Sequence, residues 1–411
     1  MAPNRAHTIG VVGRLALVLI MARGCGSLFA SDTHPILPQE EDPLVLGLPV
    51  RVSSIEGTMK LPVIEGALIA QEDWLVVLGG MKRDFTASPA IQLRTPQGTW
   101  RPVGAQLREA RINPWALQLP DGQVFVWGGY GGSARSQLAQ RVDGELLKPK
   151  VAGSSVLVLP PEGADWSDAS NPVLLKQGIV AMVVKDQLHR FDPDASGDWL
   201  APIPLGGTLQ GPALITLENG RILACGTNES GRGYQVIEVD PTTNRSTPWP
   251  NGVDIPALGG RLLELPGGKV LLVGWTRFGA GLESETLLLD PETQTTTKGP
   301  KLPIESGQLN WMSSHAVAEG ALILATQNAP HTQAESAAAR PKTVAFLVRV
   351  ESAGRLRIWS LSKLPPRRRA MVLPVGRRSI ELIGGYRFEA NGPVMENTST
   401  LVNYGAGLIG D

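Results

Sequence analysis

The feature that most constrains this chain is an internal repeat with a period near fifty residues. A repeat of that length specifies one supersecondary unit per copy, and a unit this small must stack on its neighbours to bury its apolar surface. The repeat recurs in two registers. In the first, a turn leads into an apolar strand that ends in glycine: LPDGQVFVWGG at 119–129, LENGRILACG at 217–226 and LPGGKVLLVG at 265–274, with weaker copies ending at Gly80, Thr326 and Gly385. In the second, a strand ends in Asp-Pro, with Asp192, Asp240 and Asp290 spaced 48 and then 50 residues apart. Asp-Pro starts a turn because proline presets φ and the aspartate side chain accepts from the amides that follow. A tryptophan comes next in the following strand at Trp199 and Trp249, and Trp100 and Trp359 hold the same place in other copies.

Composition agrees with short strands and tight turns. The chain of 411 residues carries 47 glycines and 33 prolines, and its aliphatic runs are too short and too continuous for amphipathic helices. Runs such as Val124–Trp127 and Val270–Val273 do not alternate with polar residues, so both faces of those strands must be covered. Long all-β folds routinely use this much sequence as one unit.

The glycine doublets Gly79-Gly80, Gly128-Gly129 and Gly384-Gly385, the first followed twenty residues later by Trp100, resemble the Kelch repeat over roughly residues 60–405. The resemblance implies an all-β, Kelch-type β-propeller of four-stranded blades. Seven copies are counted if Gln177–Val184, which has neither doublet nor aspartate-glycine turn, is accepted as a degenerate blade; six is the count without it. The last copy runs out after Ser399–Tyr404 without a fourth strand, and Val50–Ile55 precedes the first complete blade. An N-terminal strand is therefore expected to complete the last sheet and cover its open edge.

The propeller is expected to occupy residues 44–411. Before it, Arg5 and Arg14 precede the apolar run Leu15–Met21, too short to span a bilayer and suited to an export signal over residues 1–25. Cys25, in the sequence Ala22-Arg23-Gly24-Cys25, resembles the lipidated cysteine of bacterial lipoprotein signals; plain cleavage further on, after Ala30, is the alternative. Residues 26–43 are polar and proline-rich and read as a tether. The expected location is extracytoplasmic, in the bacterial envelope or secreted, with membrane contact only through a lipid.

Charge and reactive residues exclude much. Lys plus Arg and Asp plus Glu each number 38, so nothing global steers the chain toward nucleic acid. The histidines beyond the leader, His34, His189, His315 and His331, show no metal-ligand spacing, so no metal and no cofactor are expected. The Kelch-like copper oxidases need a Tyr-His pair that this chain lacks, and Cys225 with Tyr234 reads as a core thiol beside a surface tyrosine. Ser313 and His315 do not make a dyad by sequence alone, and His315 reads as a structural or channel residue.

One pattern points toward a ligand. In a four-stranded blade, the loop after the second strand and the connection to the next blade share one face, and the other two turns share the opposite face. That rule collects Arg83, Arg135, Arg232, Arg277 and Arg387 from second loops with Arg111 and Arg369 from blade connections, and sends the aspartates of the Asp-Pro turns to the other side. Converging guanidinium groups suit carboxylate, sulfate or phosphate, which they grip bidentately. The expected function is a monomeric, non-enzymatic binding or scaffolding module whose partner is a protein or an acidic glycan. The alternative is an exported carbohydrate-active enzyme, such as a sugar epimerase acting on acidic sugars. The bland alternative is that these are ordinary solvated loop charges, with the aspartates present for turn chemistry.

Overall fold

The computed structural model describes residues 46–405 except 72–73, 133–136, 152, 154, 195–196, 232, 251–258, 279–280, 305–308, 328–341, 352–353, 362–363 and 390–391. The described residues belong to one compact unit, Pro43–Asp411. The leader, Cys25 and the tether segment lie outside them.

The fold is a seven-bladed β-propeller. Each blade is a sheet whose four main strands are antiparallel, and six of the seven are built from consecutive stretches of chain. Blade 1 runs from Ala67–Gln71 to Trp100–Arg111, blade 2 from Trp115–Gln118 to Val156–Val158, and blade 3 from Val173–Leu174 to Asp198–Pro204. Blade 4 spans Gln210–Thr216 to Arg245–Pro248, blade 5 Gly259–Glu264 to Thr295–Lys298, and blade 6 Leu309–Val317 to Leu356–Leu361. The degenerate copy is a full blade: Val180–Val184 is the second strand of blade 3, every residue of it buried. Its turn to the next strand is only Lys185-Asp186, with Lys185 at φ 55°, which leaves no room for a glycine doublet.

Blade 7 is completed from the other end of the chain. Its inner strands are Met371–Pro374, Ser379–Ile383 and Thr398–Tyr404, and its outermost strand is Val50–Thr58. That strand pairs antiparallel with the third, from Val50 opposite Tyr404 to Ile55 opposite Ser399, before a bulge sets Thr58 opposite Thr398. Just before it, Leu46–Leu48 adds a short parallel strand to the outer edge of blade 6. The N-terminal segment thus closes the ring, as the missing fourth strand required.

The core is a ring of seven hydrophobic clusters, one at each blade interface. Alternate residues of one strand serve the two sides: Val76 and Leu78 pack toward blade 2, while Leu75 and Val77 pack toward blade 7. This is why the strand is apolar throughout. Cys225 lies fully buried at the blade 4–5 interface, and burial pushes its thiol pKa up, as expected of an inert core thiol. Tyr234 corrects the sequence reading: it is core, only 2% exposed, in the same cluster. It begins the strand Tyr234–Asp240, and burial raises its pKa as well.

Candidate functional site

The three glycine doublets belong to blades 1, 2 and 7, which are consecutive once the ring is closed. All six glycines have left-handed φ, between 63° and 100°. After each doublet the chain turns inward, and the next residue forms a two-bond bridge with the connection entering the same blade: Met81 with Ile64, Tyr130 with Ile112, and Tyr386 with Arg368. The second glycine is forced by this approach. A Cβ on Gly129 would lie 2.6 Å from the Ile112 carbonyl oxygen, and one on Gly385 would lie 2.8 Å from that of Arg368.

The same device strains the next residue of each connection. Glu65, Asn113 and Arg369 hold φ of 54°, 52° and 51°, a conformation that non-glycine residues adopt at a cost. They are linked sideways round the ring. The Asn113 amide donates to the Glu65 carbonyl oxygen at 2.6 Å, and Arg369 Nη1 donates to Glu65 Oε1 at 2.8 Å.

Above this arc lies a cavity of about 410 Å³. Its walls include Met81, Tyr130 and Tyr386 after the doublets, Glu65, Asn113 and Arg369 from the connections, and Lys82, Arg83 and Phe85 from the loop of blade 1. Tyr130 is 48% exposed and Phe85 37%, so flat ring surface is open to solvent. Three cations line the cavity against the single carboxylate of Glu65. Two of these cations have acidic neighbours: Arg369 pairs with Glu65, and exposed Lys82 stands 3.9 Å from Asp84.

The arginines singled out from sequence separate into distinct groups. Arg83 and Arg369 meet at the cavity, on the face assigned to them. Arg111 does not belong to a ligand face. It is completely buried and donates to Glu145, to the Asp143 carboxylate and to the carbonyl oxygens of Gly128 and Asp143. Arg387 sits on the hairpin Tyr386–Glu389 and Gly392–Met395, but its charge is engaged by Glu389 and Glu396, at 2.7 Å each. Residues alternate sides along such a hairpin, so Tyr386 lines the cavity and Arg387 does not. Arg277 lies on the strand Val270–Phe278, opposite Leu282, its side chain outside the described residues; Arg135 and Arg232 also fall outside them.

On the opposite face the aspartates perform turn chemistry. Asp121, Asp192, Asp240 and Asp290 each accept from the amide two residues on, at 2.9 to 3.2 Å. Among the described residues no group of three or more His, Cys, Asp or Glu side chains could hold a metal ion.

The residues that sequence reasoning missed are Met81, Tyr130 and Tyr386, with Glu65 and Asn113 facing them. Their signal was present: each of the first three directly follows a glycine doublet.

No protein-family model matches the chain, and no curated protein sequence matches it. Solved structures do. Selenomethionine-substituted virginiamycin B lyase from Staphylococcus aureus is 9% identical, with a TM-score of 0.50 over 86% of this chain and 99% of that one. The structure of YjhT is 12% identical, with a TM-score of 0.43 over 85% of this chain and 99% of that one. At 9% identity the likeness to the lyase is one of fold.

Proposed function

We propose that the protein is an exported Kelch-type propeller that binds an acidic glycan at the cavity over blades 7, 1 and 2, without transforming it. The carrying observation is the pairing of open aromatic surface with cations in one concave site. Tyr130 and Phe85 offer exposed ring surface for a sugar ring, with Tyr386 beside them in the wall, and Arg83, Arg369 and Lys82 offer donors for its carboxylate or sulfate. The left-handed residues at the floor fix the wall backbone before ligand arrives, which favours binding by reducing what must be ordered. Glu65, the one carboxylate lining the cavity, is already engaged by Arg369, which supports a holding role over proton transfer.

The test is calorimetric titration of the purified protein with uronic-acid and sulfated oligosaccharides, beside their neutral counterparts. Lys82→Ala with Arg83→Ala is expected to weaken acidic ligands by roughly tenfold or more, the worth of a charge-assisted hydrogen bond. Stability should stay within about 0.5 kcal/mol, because neither side chain supports the core. Equal affinity in variant and wild type, or equal affinity for neutral glycans, rejects the site. A changed sugar recovered after incubation would make the protein an enzyme instead.

The location is part of the same reading: a diacylated Cys25 would carry the propeller on the envelope, two acyl chains being enough for stable anchoring. Cys25→Ser should move the protein from the membrane fraction to the soluble one. A wild type that takes up no labelled fatty acid refutes the lipid.

A further inference from the structure

The bore of the propeller holds a second basic feature that the mouth does not use. Arg261 is the third residue of the inner strand Gly259–Glu264 of blade 5, and Trp115 opens the inner strand Trp115–Gln118 of blade 2. These blades stand across the ring from each other, yet the Arg261 guanidinium lies 5.2 Å from the centroid of the Trp115 ring. The contact therefore spans the channel. His315, on the inner strand Leu309–Val317 of blade 6, stands near enough for the charge of Arg261 to act on it. Burial first, and that charge second, push the His315 pKa down to about 3, so its imidazole is neutral at physiological pH. One ring nitrogen, Nε2, lies 3.2 Å from Ser313 Oγ.

Arg261 makes no ion pair and no hydrogen bond among the described residues; its contact is with the face of Trp115. Glu264, on the same strand, has its pKa raised by burial first and by Glu218 second, and does not neutralise Arg261. Burial also lowers the pKa of Arg261 itself. Arg261 and His315 nevertheless each keep part of their surface accessible. A guanidinium with five donors, withdrawn from bulk water and without a counter-charge among the described residues, is costly unless an anion completes it.

We infer that the bore carries an oxyanion-binding position in which Arg261 grips the anion, the Trp115 ring backs the guanidinium and His315 borders the site. It fits one carboxylate, sulfate or phosphate group, because a planar fork engages two oxygens of such a group at once. The inference does not depend on the mouth being a glycan site, since none of its three residues lines that cavity.

The experiment is calorimetric titration of the purified protein with sodium phosphate, sulfate and acetate, against chloride at matched ionic strength. Saturable binding is expected for at least one of the three, and the three arms separate tetrahedral oxyanions from carboxylates. Arg261→Gln should weaken it by roughly tenfold or more, and Arg261→Lys by less, because lysine keeps the charge and loses the fork. Arg83→Ala should leave it unchanged, which separates the bore from the mouth. Should Arg261→Gln fail to fold, Trp115→Leu provides the second test and should weaken binding several-fold by removing the cation–π support. Absence of saturable binding in the wild type overturns the inference. So does retention of full affinity by the Arg261 or Trp115 variants, or its loss in Arg83→Ala alone.

Discussion

Deleting residues 44–58 is expected to abolish cooperative melting and drive the protein into aggregates. The deletion removes the outermost strand of blade 7 and the short strand on the edge of blade 6. Each backbone hydrogen bond lost costs about 0.5–1.5 kcal/mol net, and the ladder pairs seven residues of Val50–Thr58 with the third strand of blade 7. The loss approaches the roughly 5–15 kcal/mol by which a typical domain is stable. Worse, the strand Thr398–Tyr404 would become an open edge, its unpaired amides and carbonyls free to recruit a second chain. Size-exclusion chromatography and calorimetry of the truncated chain decide the matter. A soluble variant with unaltered melting would mean that the ring does not need this strand.

Arg111→Ala is expected to cost about 3–5 kcal/mol, the penalty of breaking a buried ion pair from one side. Glu145, also wholly buried, would keep the Ser155 hydroxyl and the amides of Arg108 and Glu109 as partners but lose its cation. The carbonyl oxygens of Gly128 and Asp143 would lose the donors that tie the outer strand of blade 1 to the second and third strands of blade 2. Arg111→Lys should recover only part of the loss, because an ammonium cannot reach four acceptors arranged around a planar fork. Urea denaturation at neutral pH gives the number, and a loss below about 1 kcal/mol would show that the cluster is not a structural clamp. The contrast with Arg83, whose removal should affect ligand and not stability, separates two arginines that the sequence presents alike.

Why they look alike explains how much was legible. The blades could be read because a strand covered on both faces must be apolar at every position, as Val180–Val184 still is in a copy that lacks both the glycine doublet and the aspartate-glycine turn. The closing strand could be read from an edge that otherwise stays open. The loop-face rule put Arg83 and Arg369, 286 positions apart in sequence, on one face, and both line the same cavity. It failed for Arg111 and Arg387 because membership of a face does not fix where a side chain points. Arg111 ends a strand and turns inward to carboxylates 32 and 34 residues further on, and Arg387 is held by Glu389 two residues away on its own hairpin. Direction is set by tertiary partners, which no spacing in the sequence encodes. Tyr234 was read as a loop residue, but it begins the strand Tyr234–Asp240, which puts its ring in the core.

The closing strand also decides how the molecule can be held. Val50 pairs with Tyr404, and the Gly405 amide donates to the Pro49 carbonyl oxygen, so the chain enters and leaves the propeller side by side. That point adjoins the turn at Arg378, whose carbonyl oxygen accepts from the Tyr404 amide, at the end of blade 7 remote from the hairpin whose residues line the cavity. A handle attached at either place grips the outer rim from behind and leaves the mouth unobstructed. It also loads the last ladder from one end, so a pull would peel the final blade open pair by pair rather than shear it. The same seam that closes the ring is thus where force would undo it.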